Sequence, residues 1–450
     1  MAATAVTLGY TPEKGINYTY VTDSSADWGA VPNTTYFYNK ADKLPYYKDG
    51  TGTVLSVFSA SGASGKFGIP DSSGAYTYYS TLNAAMTAAV SGQTIEMFTD
   101  YTETGATEIT LKDGVNINGN GHTYTKNTND ATHILITTAG VNINCSINNL
   151  TFVRSVGTGK VFQSGPYTLG NSNIDFTGTI MKNTGSSGAF ESIDINVFNL
   201  IAMSYGVSNA LAFNTGRIKN CIGINFSSGR GFFLFGNGGT AEQCFGESNS
   251  GDGFYNDGRA INCTGYSSSG TGFVSLNYAQ NCTGRSISST GFAGYYDTVE
   301  QVDCIGTSIS GIGFVSAGGN ASGCTGFSQG NYGTTLSNTC LHSNFTSISS
   351  AAPAIWSLNS TNSELINGYA ACRWNNASGY GLRGWGGLMP SKILNVTFKL
   401  NNASAPYLYN DGIAASLSLR GNTYLGGAVY NANLTQAIVA TQDNQGNIFL

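Results

Sequence analysis

Apolar residues alternate with Asn, Ser, Thr or Gly along most of the chain, in short runs separated by small polar turns. Val115-Asn-Ile-Asn-Gly119, Val141-Asn-Ile-Asn-Cys145-Ser-Ile-Asn-Asn-Leu150-Thr-Phe152, Val396-Thr-Phe-Lys-Leu400 and Leu417-Ser-Leu-Arg-Gly-Asn-Thr-Tyr424 show the pattern. A period of two places every second side chain on one face, so each run predicts a short strand with one face buried. One segment breaks the rule. Between Ser80 and Gly92, Leu82, Ala85, Met86 and Ala89 fall on one helical face, with Ser80 as the expected N-cap and Gly92 as the terminator. This helix is expected to cover an end of the sheet, where open strand edges otherwise invite aggregation.

The strands belong to a repeat. Cys221, Cys244, Cys263, Cys282, Cys304, Cys324 and Cys340 are spaced by 23, 19, 19, 22, 20 and 16 residues, and the units from Cys244 to Phe254, Cys263 to Phe273 and Cys304 to Phe314 align residue for residue. A unit of about twenty residues cannot bury its inner face alone, so the copies must stack as coils of a parallel β-solenoid, right-handed by the crossover rule. Coils stack about 4.8 Å apart, which turns the cysteines and phenylalanines into two internal columns, small beside large. The fold class expected is all-β: a right-handed parallel β-helix with an N-terminal capping helix and a small N-terminal attachment segment. Residues 1–70 read differently, with Pro12, Pro32, Pro45 and Pro70, bunched tyrosines and a Ser/Gly/Ala linker over 59–65. They form the first expected region, followed by the regular β-helix over 71–345 and an aromatic-rich continuation over 346–450.

Composition narrows the function. The chain has 450 residues, only 10% of them charged, 60 glycines and a net charge of −5, with 20 Lys+Arg against 25 Asp+Glu. Cations are too few for a phosphate-neutralising surface, so no nucleic-acid partner is expected. No apolar run approaches the roughly 20 residues of a membrane span, and no secretory signal is read at the N-terminus.

Two stretches resemble a known family. Thr7-Leu-Gly-Tyr-Thr-Pro-Glu13 is similar to an element near the start of many bacteriophage tail-fibre and tailspike chains. Tyr79 to Ile95, followed by Ile109 to Gly119, resembles the opening of pectin-lyase-like right-handed β-helices, which include many phage tailspikes. The resemblance implies a homotrimeric virion appendage, its N-terminal segment bound to other tail or baseplate proteins and its β-helix facing a bacterial surface polysaccharide. Many such proteins cleave that glycan and many only bind it.

Cleavage by hydrolysis needs paired carboxylates about 5 to 9.5 Å apart, one protonated and one ionised. Glu247, Asp252 and Asp257 share one coil, and Asp297, Glu300 and Asp303 lie two coils on. Glu247, Asp252, Asp257 and Asp297 are therefore the catalytic candidates, while solvated turn residues are the competing explanation for all of them. Arg230 occupies the turn position equivalent to Asp252, so an Arg230–Asp252 pair is expected. Binding without cleavage calls instead for aromatic platforms, because sugar C–H faces stack on rings. Trp356, Tyr369, Trp374, Tyr380 and Trp385 are the candidates, with core or interface packing as the alternative.

Nine cysteines without a C-x-x-C pair and three scattered histidines suggest no metal site. The Gly-x-Gly stretches belong to repeat turns, and no cofactor is expected. Neighbouring cysteines on adjacent coils lie within disulfide range, but inward stacking and assembly in a reducing cytosol favour free thiols. Three functions remain open: a virion fibre that binds a surface glycan, a polysaccharide depolymerase (glycoside hydrolase or lyase), and a purely architectural virion protein.

Overall fold

The computed structural model describes residues 65–138, 140–164, 172–236, 238–296, 299–358, 363–376, 378–385, 390–410, 418–426 and 448–449, with short stretches between 20 and 56. Asp297 and the Thr7–Glu13 element lie outside the described residues. The chain divides into two units, Met1–Ala89 with Gln93–Phe98, and Val90–Gly92 with Thr99–Leu450.

In the first unit, Tyr20–Thr22, Thr35–Asn39, Leu44–Lys48 and Val54–Ser56 form a four-stranded sheet. Phe67–Pro70 pairs antiparallel with Tyr76–Tyr79 and with Thr94–Met97, so residue 70 lies within a hairpin. The helix α1 (Leu82–Ala88) packs on both strands of that hairpin, burying Leu82, Ala85 and Met86. Its N-cap is Thr81 rather than Ser80: the Thr81 hydroxyl accepts from Ala84 N at 3.1 Å, the three-residue reach that capping requires. It ends at Ala89 rather than Gly92, which instead takes φ +89° in the turn that follows.

The second unit is a right-handed parallel β-solenoid of about 14 coils. Each regular coil carries three short strands, A, B and C, here Thr240–Glu242, Phe245–Ser248 and Phe254–Asn256. Each pairs parallel with its counterpart one coil on, at Arg259–Ile261, Thr264–Ser267 and Phe273–Ser275. The C strands alone make a fourteen-stranded sheet.

Strands A and B meet at one residue in the left-handed region, filled on successive coils by Asn220, Gln243, Asn262, Asn281 and Asp303, with φ of 52–55°. Asn and Asp tolerate that conformation because their short polar side chains bond locally, as when Asn220 Nδ2 donates to Asn199 Oδ1 at 3.1 Å. Each corner is followed by a ladder cysteine. The Cys263 thiol faces Ile261 O at 3.3 Å and Ala241 O at 3.4 Å, so a small, largely apolar group caps carbonyls of two coils. Six of the seven repeat cysteines, Cys221 to Cys324, follow this rule. Cys340 does not: Thr346 N bonds Cys324 O, which puts Phe345 next in the column, while Cys340 pairs with Gly319 in strand A. The corner between strands B and C is held by serines; Ser267 Oγ donates to Gly251 O at 2.7 Å and accepts from Gly270 N at 2.8 Å.

Inside, Phe232, Phe254, Phe273, Phe292 and Phe314 stack with centroids 4.3–5.0 Å apart and planes within 6° of parallel. Strand B approaches strand C so closely that a Cβ on Gly246 would run into Gly253 O, and one on Gly253 into Tyr266 O. The repeated glycines are therefore what lets a single layer of phenylalanines fill the section. All nine cysteines are free, and eight are buried.

Candidate functional site

The middle residues of strand C form one column along the solenoid, in which Val274, Ala293 and Thr335 are buried. In register it runs Phe233, Tyr255, Val274, Ala293, Val315, Thr335, Trp356, Arg383 and Tyr409. Two clusters interrupt its small-residue stretch, and at one coil per step Tyr255 and Trp356 stand about 24 Å apart.

The first cluster surrounds Arg230, at the turn into strand C. Its guanidinium lies 4.4 Å from the Phe233 ring centre and 3.9 Å from that of Tyr255, and its Nε donates to Asp252 Oδ2 at 3.2 Å. This is the pair expected from the turn positions. The other Asp252 oxygen accepts from Thr271 N at 3.3 Å, so both carboxylate oxygens are engaged. Asp257, just beyond strand C, accepts from Gly236 N at 3.3 Å. Burial raises the Tyr255 hydroxyl pKa, while Arg230 acts against that rise.

The second cluster is built from four coils. Tyr332 lies over Trp356 with centroids 4.4 Å apart, Trp385 meets Trp356 edge-on at 6.4 Å, and Tyr380 stacks on Tyr409 at 4.3 Å, planes 3° apart. Arg383 sits 5.5 Å from the Trp385 ring and 5.9 Å from the Tyr409 ring. Trp385 is 53% exposed, whereas Trp356 Nε1 is buried and, among the described residues, has no hydrogen-bond partner. Between the clusters, Tyr295 follows strand C of one coil and is 44% exposed. Burial raises its hydroxyl pKa, and the neighbouring Thr271 side chain acts against that rise.

The coil geometry sorts the sequence candidates by face. Asp252 and Asp257 flank strand C. Glu247 lies on strand B between Ile224 and Tyr266, on another face, so the three acids of one coil do not converge. Glu300 lies on strand A and Asp303 at a left-handed corner. Trp356, Tyr380 and Trp385 come together. Tyr369 does not join them, since it lies on strand B between Thr346 and Thr397, and Trp374 packs against the buried C-terminal core. Sequence reasoning missed Tyr332, Arg383, Tyr409, Phe233 and Tyr255, all of which register alignment of the coils would have placed in or beside one column. Among the described residues, no group of three or more His, Cys, Asp or Glu side chains is arranged to hold a metal.

No family model matches the chain, and no curated protein matches it. Among solved structures, the A-module of the mannuronan C-5 epimerase AlgE6 from Azotobacter vinelandii is similar at 14% identity and TM-score 0.28, over 82% of this chain and 93% of that one. The A-module of AlgE4 from the same organism is similar at 10% identity and TM-score 0.24, over 82% and 91%. At that level nothing of the site is carried across.

Proposed function

We propose that this chain is a virion fibre or tailspike protein that binds a bacterial surface polysaccharide at the aromatic clusters of the strand C column. The observation that carries the binding is the Tyr332–Trp356–Trp385 and Tyr380–Tyr409 cluster with Arg383 at its centre. Rings offer apolar faces to sugar C–H groups, and guanidinium N–H groups are donors for hydroxyl oxygens. A second aromatic station at Arg230 on the same column suits a chain-like ligand rather than a single sugar. The virion role rests on the sequence resemblance, which also implies a homotrimer anchored through its N-terminal segment to tail or baseplate proteins. Asp252 fits the binding role better than a catalytic one, because both its oxygens are engaged in holding Arg230 and Thr271.

The test is incubation of the full chain with a panel of bacterial surface polysaccharides, reading binding and chain length together. The expected result is binding with intact chains that Trp356→Ala weakens at least tenfold, as loss of a stacked aromatic anchor does. Shortened chains, lost with Asp252→Asn, would replace this reading with a depolymerase. Binding unaffected by Trp356→Ala would remove the strand C site.

A further inference from the structure

Strand A carries a feature that the strand C reading does not use. Its outward column runs Arg217, Thr240 and Arg259 on three consecutive coils, in register. At one coil per step the two arginines stand about 10 Å apart with the threonine between them. They line an open cleft of about 550 Å³ together with Gly216, Gly238 and Glu242.

Charge in the cleft runs against that of the whole chain. Arg217 and Arg259 line it with one carboxylate, Glu242, and Lys219 lies 4.0 Å from that carboxylate, which leaves +2 locally in a chain of net −5. Glu242 takes Arg217 Nη2 on both oxygens, at 3.0 and 2.9 Å, and Lys219 at 4.0 Å. That arrangement uses one of the three guanidinium nitrogens of Arg217. Among the described residues, no protein group accepts from the Arg259 guanidinium; it lies 4.8 Å from the Tyr278 ring centre, which holds it without consuming a donor. The Thr240 hydroxyl likewise has no protein partner among the described residues. The next carboxylate in the column, Glu300, lies two coils beyond Arg259.

We propose that this cleft is an oxyanion-binding site, in which Arg217 and Arg259 converge over Thr240 on the carboxylate or phosphate of an acidic ligand. The chemistry is that of the donor set: two planar guanidinium forks suited to paired oxygen acceptors, and a hydroxyl that completes the cradle. Opposite-sided approach explains the two-coil spacing, since one coil apart the guanidinium groups would crowd and repel each other. The site lies on a different face from Trp356 and does not depend on the strand C reading.

The test is calorimetric titration of the full chain at low salt with three probes: inorganic phosphate, polygalacturonate and poly(glycerol phosphate). At least one is expected to bind, about tenfold more weakly to Arg259→Gln, as loss of a charged hydrogen bond implies, and more weakly in high salt. Arg259→Lys should fall between, keeping the charge and losing the fork. Because Arg259 is exposed, both variants should keep the parent thermal midpoint, which is measured alongside. Preference for a polymer over inorganic phosphate identifies an acidic glycan, its carboxylate or phosphate form being read from which polymer binds; equal binding identifies a free anion. Trp356→Ala should leave this binding unchanged. Silence with all three probes, or binding that both Arg259 variants retain in full, overturns the proposal while leaving the strand C reading to its own test.

Discussion

Phe254 and Phe273 lie face to face on adjacent coils, ring centroids 4.7 Å apart and planes 4° from parallel. Each ring is packed above and below by its own kind, so truncating one opens a void that neither neighbour can fill by rotating. Phe273→Ala should lower stability by about 3–5 kcal/mol. A urea unfolding series would show it as a lower midpoint at unchanged slope.

His342 occupies the core edge-on to Phe314 and Phe345, both at 5.7 Å, is 1% exposed, and has no hydrogen-bond partner on either ring nitrogen among the described residues. Burial lowers its pKa to about 4, from 6.5 for a free imidazole. Between those values the unfolded chain binds a proton that the folded one refuses, so stability falls as pH drops from about 6.5 towards 4. The full effect is on the order of 3 kcal/mol. His342→Leu, matching Leu365 one coil on, should be more stable and should lose this part of the pH dependence. Identical pH slopes for both proteins between pH 7 and 4.5 would contradict it.

Burial raises the pKa of the Cys244 and Cys304 thiols, which have no solvent contact to speak of. Brief alkylation of the native protein should therefore spare Cys221, Cys244, Cys263, Cys282, Cys304 and Cys324, whereas denaturant should expose nine reactive thiols without reductant. Mass spectrometry counts the adducts, and fewer than nine in denaturant would reveal disulfides.

Truncation should distinguish the hairpin from the linker before it. A chain starting at Gly65 keeps Phe67–Pro70 against Tyr76–Tyr79 and α1; one starting at Asp71 strips a strand from beneath the helix, with the buried Phe67 and Ile69. The longer form should resist limited proteolysis over residues 71–98 and the shorter one should be cut there.

The solenoid was legible because its determinants are local and periodic: a cysteine after each corner, a glycine where strands approach, a phenylalanine in the middle. Cys340 shows the limit of spacing alone. Its 16-residue interval is the shortest of the series because it belongs to a different strand, and Phe345 carries the column on. The site was legible only in part for the opposite reason. Glu247 and Asp252 are five residues apart and look like a cluster, yet a corner between them turns their side chains to different faces. Tyr332, Trp356 and Arg383 are separated by more than twenty residues at each step and meet because successive coils superimpose. Sequence proximity misleads in such a fold, and column membership decides what meets. Nothing in the alternation of apolar and polar residues separates the aromatic that plugs a core, as Trp374 does, from the one that faces outward, as Trp385 does.

The coil running from Cys263 to Asn281 matches the coil before it in length and in core contents, and it lies between Arg230 and Trp356 without contributing a ring or a charged side chain to either cluster. Such a coil is one mark on a ruler. Deleting one 19-residue coil would bring the two stations nearer by one graduation of about 4.8 Å, and duplicating one would move them apart by the same step. A lineage could thus tune the span between its contact points by gaining or losing whole repeats, leaving the chemistry at both ends untouched.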